Sequence, residues 1–218
     1  MRRPWRAPAR HLAVAALSLA LVGAFAAAKG PMHPVHLWNR AWADAALVLL
    51  ALTLGLGPLA RLWPRAFARW LPWRRELGVW FALGALVHVA VYAQAFDGDW
   101  LRFVRRGTDA DPVWLRTPFA VANWVGALAL VYAAALAATS NDRAVRWLGR
   151  GWKFLQRQSY TLFVLTALHA AVFALLVYPS PGADVGLNAA LWGAGALALA
   201  LQLAGFVRTV GQGRWGGR

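Results

Sequence analysis

Two histidines, His88 and His169, stand alone inside long apolar segments, at the same spacing from a flanking charge. His88 lies twelve residues after Glu76 in ELGVWFALGALVHVAVYAQAF; His169 lies twelve residues after Arg157 in QSYTLFVLTALHAAVFALLVY. On helices that rise about 1.5 Å per residue, each imidazole sits roughly 18 Å along its segment. That is slightly past the middle of a hydrocarbon layer about 30 Å thick. An ionisable side chain at that depth is costly without a partner, so it marks a functional site. Two imidazoles at one level can share a metal atom between two helices, and a b-type heme suits such a pair. The alternative for each ring is a hydrogen bond to a backbone carbonyl or to a neighbouring helix.

A bis-histidine heme also needs an apolar slot and polar groups for its propionates. Gly84, Ala85, Val89, Leu165, Thr166 and Ala170 are the slot candidates, and Arg40, Arg102, Arg105 and Arg116 are the cations on the same side. His36, in HPVHLWNR, is a weaker candidate for an extra ligand or a partner contact, the alternative being an interfacial histidine. Asp44 follows Arg40 by four residues, and a helical pair between them would account for it without function.

These residues need helices to hold them. The chain of 218 residues is 60% hydrophobic and only 14% charged, which excludes an ordinary soluble domain. Its net charge of +15 is gathered in short stretches between apolar runs, a pattern that fits membrane orientation and not nucleic-acid binding. Without any cysteine there is no disulfide, no thiolate-ligated cluster and no covalently attached heme, which leaves histidine to hold a redox metal.

Six segments, near residues 10–28, 41–62, 76–96, 119–139, 158–178 and 185–207, are long and apolar enough to span. The expected fold is all-α, a six-transmembrane-helix bundle over residues 10–207, with tails at 1–9 and 208–218. With the N-terminus inside, seventeen Lys and Arg fall on the inner face and six on the outer. This predicts a multi-pass protein of the bacterial inner membrane with both termini cytoplasmic. A cleavable signal peptide is the alternative reading of the first segment. Tryptophans at segment ends, such as Trp38, Trp63 and Trp147, read as interfacial belts. The basic inner loop 143–157 is a candidate contact for an electron donor or flavin, or else a solvated topology signal. The outer loop 97–118 is a candidate acceptor dock, or else a plain connector. No dinucleotide fingerprint or phosphate-binding loop is present, so electrons must come from a separate donor or a small bound cofactor.

Four stretches carry a resemblance: HLWNR with GPLARLW; RRELGVWFALGALVHVAVYA; LAATSNDRAVRWLGRGWKFLQRQSY; and ALH at 167–169. Over about His36 to Tyr178 the chain resembles the heme-binding membrane subunit of the periplasmic methionine-sulfoxide reductase system, the MsrQ/YedZ family of the ferric-reductase-like superfamily. The resemblance implies a heme b bundle that passes electrons outward to a periplasmic molybdenum-containing reductase. A quinone or a cytosolic flavin reductase would be the donor, and FMN is possible near the inner face. The family's third-span and fifth-span histidines fall on His88 and His169. Its usual W-x-x-L-H-R reads here as WKFLQR, so Gln156 replaces a histidine ahead of Arg157, and Asn39 replaces a glycine ahead of Arg40. A glutamine amide is a poor iron ligand, so one heme is expected and a second is not. The other readings are a stand-alone ferric or metal reductase and a non-redox small transporter or assembly factor.

Overall fold

Prolines and polar caps set the helix boundaries. The computed structural model describes residues 6–96, 99, 102, 105–107, 112–114, 117–177 and 185–211. Helix α1 runs Arg6–Ala28 and α2 runs Pro34–Leu62. Pro34 has no N–H to leave unpaired in the first turn, and His33 caps the helix by accepting from the Val35 N–H at 3.4 Å. Helix α2 therefore begins ahead of the span expected at 41. His36, Trp38, Asn39 and Arg40 ride on the helix and not on a loop before it.

After α2 a short α3 (Pro64–Phe67) and a 3₁₀ turn (Ala68–Trp73) lead into α4 (Arg74–Ala93). The loop 97–118 is not wholly irregular: β1 (Arg105–Gly107) pairs antiparallel with β2 (Pro112–Trp114), Arg105 opposite Trp114. Much of that loop, Arg116 and three of its four aspartates included, lies outside the described residues. Helix α5 (Pro118–Ala138) starts at Thr117, whose hydroxyl accepts from Ala120 N–H at 3.2 Å. Then come α6 (Asp142–Leu148) and α7 (Arg150–Arg157), separated by Gly149 at φ +52°, a conformation that a side chain would strain. Helix α8 (Ser159–Val172) continues as a π-helical turn, Phe173–Val177, and α9 spans Val185–Gly211.

Among the described residues, five helical stretches are long and apolar enough to cross a membrane: Pro8–Ala28, Pro34–Leu62, Pro64–Ala93, Pro118–Ala138 and Arg150–Val177. The sixth expected segment is helical, but its apolar stretch among the described residues, Gly195–Arg208, is shorter. Large apolar side chains such as Leu128, Val131, Val164, Leu168 and Leu203 are exposed along these helices. Water would penalise so broad an apolar surface, and lipid accepts it. The chain is a multi-pass, all-α membrane protein with one small hairpin.

Helix α2 is the hub, with α1, α4 and α9 against it, while α5 and α8 form a second pair joined through α4. The core knits both groups: Leu49, Leu50 and Leu54 of α2, Leu77 and Phe81 of α4, Ala129 and Ala133 of α5, and Leu162 of α8. Pro58 removes the N–H that the Leu54 carbonyl would receive inside α2. Gln202 of α9 supplies the missing donor at 2.6 Å, and the Tyr160 hydroxyl of α8 donates to the same glutamine at 3.2 Å. At this crossing a side chain on Gly205 would meet the Pro58 ring at 3.3 Å, so the missing Cβ lets α9 close on α2.

Two ion pairs fasten α1. Arg10 meets Glu76, the latter 1% exposed, at 2.9 Å, and Lys29 lies 2.7 Å from Asp44. Lys29 is thus a partner of Asp44 from another part of the chain, in addition to the Arg40 that sequence spacing suggests.

Candidate functional site

Each histidine is carried by one helix and pinned to the backbone of the helix beside it. His88 of α4 places Nδ1 at 2.9 Å from the Asn39 carbonyl oxygen of α2. A carbonyl only accepts, so that nitrogen carries the proton. The Asn39 side-chain amide, also 2.9 Å from Nδ1, has its own acceptor in the His88 carbonyl at 2.9 Å. His169 of α8 places Nδ1 at 2.7 Å from the Ala122 carbonyl of α5, which fixes the same tautomer. Both imidazoles therefore keep the lone pair on Nε2, and among the described residues no hydrogen bond engages it. These are the backbone-carbonyl bonds that the non-functional alternative for each histidine requires, and a ring N–H held by a carbonyl is equally the usual support of a metal-bound histidine.

The two rings meet. Their centres are 6.4 Å apart and their planes cross at 82°. Metal–nitrogen bonds of about 2 Å on either side of one atom place imidazole centres roughly 6 Å apart. The pair has the ring spacing, the tautomer and the half-buried setting that a bis-histidine iron requires. Among the described residues no group of three or more His, Cys, Asp or Glu could hold a bare metal ion. Two histidines suit a metal that arrives with its other ligands, as the iron of a porphyrin does. On the α8 side the wall is aromatic: Phe173 stands 5.0 Å from the His169 ring and 5.9 Å from Phe119 of α5.

The remaining candidates fall elsewhere. Gly84 turns to α2, where an added Cβ would lie 3.5 Å from Ala46 and 3.7 Å from Trp42, so it closes the α2–α4 seam. His36 contacts Tyr92, with ring centres 5.9 Å apart, near the start of α2. Gln156 of α7 lies 3.5 Å from the Leu136 carbonyl and 3.4 Å from the Thr139 hydroxyl. Beside it, Trp152 donates to the Thr139 carbonyl at 2.9 Å. The two side chains dock α7 on the open carbonyls at the end of α5. Arg157 is exposed, Arg40 is half-buried, and Arg102 pairs with Asp99 at 3.1 Å.

Two contacts were beyond the sequence reading. Asn39 departs from a family pattern in sequence, and the fold makes it a neighbour of His88. Gly126 carried no signal at all: a Cβ there would stand 2.6 Å from His169 Nδ1.

Residues 40–167 match the family described as the ferric reductase like transmembrane component, a stretch that holds His88, Gln156 and Arg157 and ends just before His169. The protein-methionine-sulfoxide reductase heme-binding subunit MsrQ of Brucella anthropi is 34% identical over 137 residues, 63% of this chain and 54% of that protein. The chain thus spans about half the length of the curated relative it matches. With more than half of its residues inside the family match, the chain belongs to the ferric-reductase-like transmembrane family.

Proposed function

We propose that this chain is a b-type cytochrome of the bacterial inner membrane, an electron-transfer subunit and not a complete enzyme. One observation carries the reading: two imidazoles from separate helix pairs, 6.4 Å apart, each with Nδ1 tied to a carbonyl. Heme b, when bound, supplies a reversible one-electron centre between the two faces of the membrane. His88 and His169 hold it through Nε2, and the carbonyls of Asn39 and Ala122 keep those nitrogens unprotonated. Phe119 and Phe173 pack beside His169 and limit access of water there, which lowers the local dielectric. One heme is proposed, because Gln156 is engaged with the end of α5.

The wider arrangement follows the relative's printed name and the charge pattern. Six helices span over residues 10–207 with both termini cytoplasmic. Electrons enter from a quinone or a cytosolic flavin reductase, with FMN a possible carrier near Arg157, and leave to a periplasmic reductase of the molybdoenzyme kind. Arg40 lies on α2 next to the ligand-bearing region and is the proposed cationic contact for the cofactor.

Reduced-minus-oxidised spectra of His88→Ala and His169→Ala, beside the unaltered protein, test this reading. Loss of the b-type bands in both variants is the expected result. Retention of a low-spin heme in either one removes that histidine from the ligand set.

A further inference from the structure

Why the two imidazoles stand at right angles is a question that the ligands alone do not answer. The carbonyl of Ala122 is one turn below Gly126 on α5, the position whose N–H it receives in a regular helix. It also accepts from His169 at 2.7 Å, so one oxygen serves two donors. The imidazole can reach it because nothing projects from residue 126. A Cβ there would lie 2.6 Å from Nδ1, 2.7 Å from Cε1 and 3.3 Å from Cγ of His169, contacts that no ring in this position tolerates. On the other side, Asn39 grips His88 twice: its carbonyl receives Nδ1–H, and its amide donates to the His88 carbonyl, both at 2.9 Å. A single residue of α2 thereby fixes both the ring and the backbone that bears it.

We propose that Gly126 and Asn39 are positioning residues that hold the two axial imidazoles in crossed planes. Gly126 acts by leaving space, so that His169 lies flat on α5 and points Nδ1 at Ala122. Asn39 acts by a two-point clamp between α2 and α4. Each Nδ1 is tied to a carbonyl of a different helix, and with both bonds made the ring planes stand at 82°. The proposal rests on the heme reading for its consequences at iron, but the ring positions themselves are independent of it.

The test uses full-length protein in detergent, with ¹⁵N-labelled histidine, reduced to its diamagnetic state. Nδ1–H proton shifts and solvent exchange report each ring's hydrogen bond. Low-temperature electron paramagnetic resonance of the oxidised protein reports the ring planes, since its lowest-field g value rises as axial imidazoles go from parallel to crossed. Gly126→Ala is expected to shift the His169 Nδ1–H upfield, to speed its exchange at least about tenfold, and to lower that g value. Heme retention should weaken by about 10- to 100-fold. Asn39→Leu is expected to move the His88 signals alone, with a smaller drop in g. Gly23→Ala, in α1 with nothing within 4 Å of the added carbon, is the control and changes neither readout. Should Gly126→Ala fail to fold, Asn39→Leu carries the decision. Unchanged Nδ1–H signals and g value in folded variants overturn the positioning role while the heme reading stands. Perturbed ring signals in a protein that binds no heme uphold the positioning role and overturn the heme reading instead.

Discussion

The two histidines face each other from unlike supports. His88 belongs to the half built from α1, α2 and α4, where α2 alone has ten buried residues and α1 is fastened by the Arg10–Glu76 and Lys29–Asp44 pairs. His169 belongs to α5 and α8, and α8 has one buried residue, Leu162. Among the described residues that second pair of helices has no buried ion pair, and its contact at the site is one carbonyl bond through a gap left by a glycine. The difference teaches where the site's rigidity comes from. The first half is fixed by burial and charge, so it can present a ligand before any cofactor arrives. The second half meets it mainly through α5's small residues, and a shared metal would be a substantial part of what holds it in place.

Substitutions in the first half should therefore cost the most stability. Arg10→Leu leaves the Glu76 carboxylate buried and unpaired, and removal of one partner from such a pair costs about 3–5 kcal/mol. A large fall in the detergent unfolding midpoint is the expected reading, larger than for Glu76→Leu. Arg10, at 26% side-chain exposure, can reach polar surroundings once it is alone. Equal falls for the two variants would mean that Glu76 is not held as a buried anion. The link between the halves comes next. Gln202→Leu orphans the Leu54 carbonyl and frees Tyr160, at a cost of about 1–3 kcal/mol, visible in the same midpoint and in faster hydrogen exchange near Pro58. Smallest is the exposed tie from α4 to α6. Asp142→Asn breaks a pair that is 41% and 69% exposed, worth below about 1 kcal/mol and erased by salt. A cost for Asp142→Asn as large as that of Gln202→Leu would show that the α4–α6 tie is packed against something more than solvent.

Much of this was legible in the residues and some was not. Lone histidines in apolar runs, at matched distance from flanking charges, led to a pair that the fold does bring together. The same reasoning placed the helices within a few residues, and missed the early start of α2 because Pro34 with His33 as cap extends it outward past polar residues. Backbone anchors were invisible for a physical reason: every residue has a carbonyl, so sequence cannot say which one a ring will find. Gly126 was hidden among the small residues of VANWVGALAL, where glycine and alanine look alike until a ring lies against one of them. Gln202 had a readable cue, since Pro58 inside a long helix announces one carbonyl in need of a donor. Gln156 stands where the family pattern has a histidine, and its contacts give it a plain task at the end of α5.

The central claim is that two crossed histidines from unequal halves close on one heme. The most direct measurement is the heme-to-chain ratio of the purified, unaltered protein, taken with the spin state of its oxidised form. One low-spin heme b per chain is the expected result. Well-folded protein without heme, or a high-spin heme with an open axial position, would contradict it.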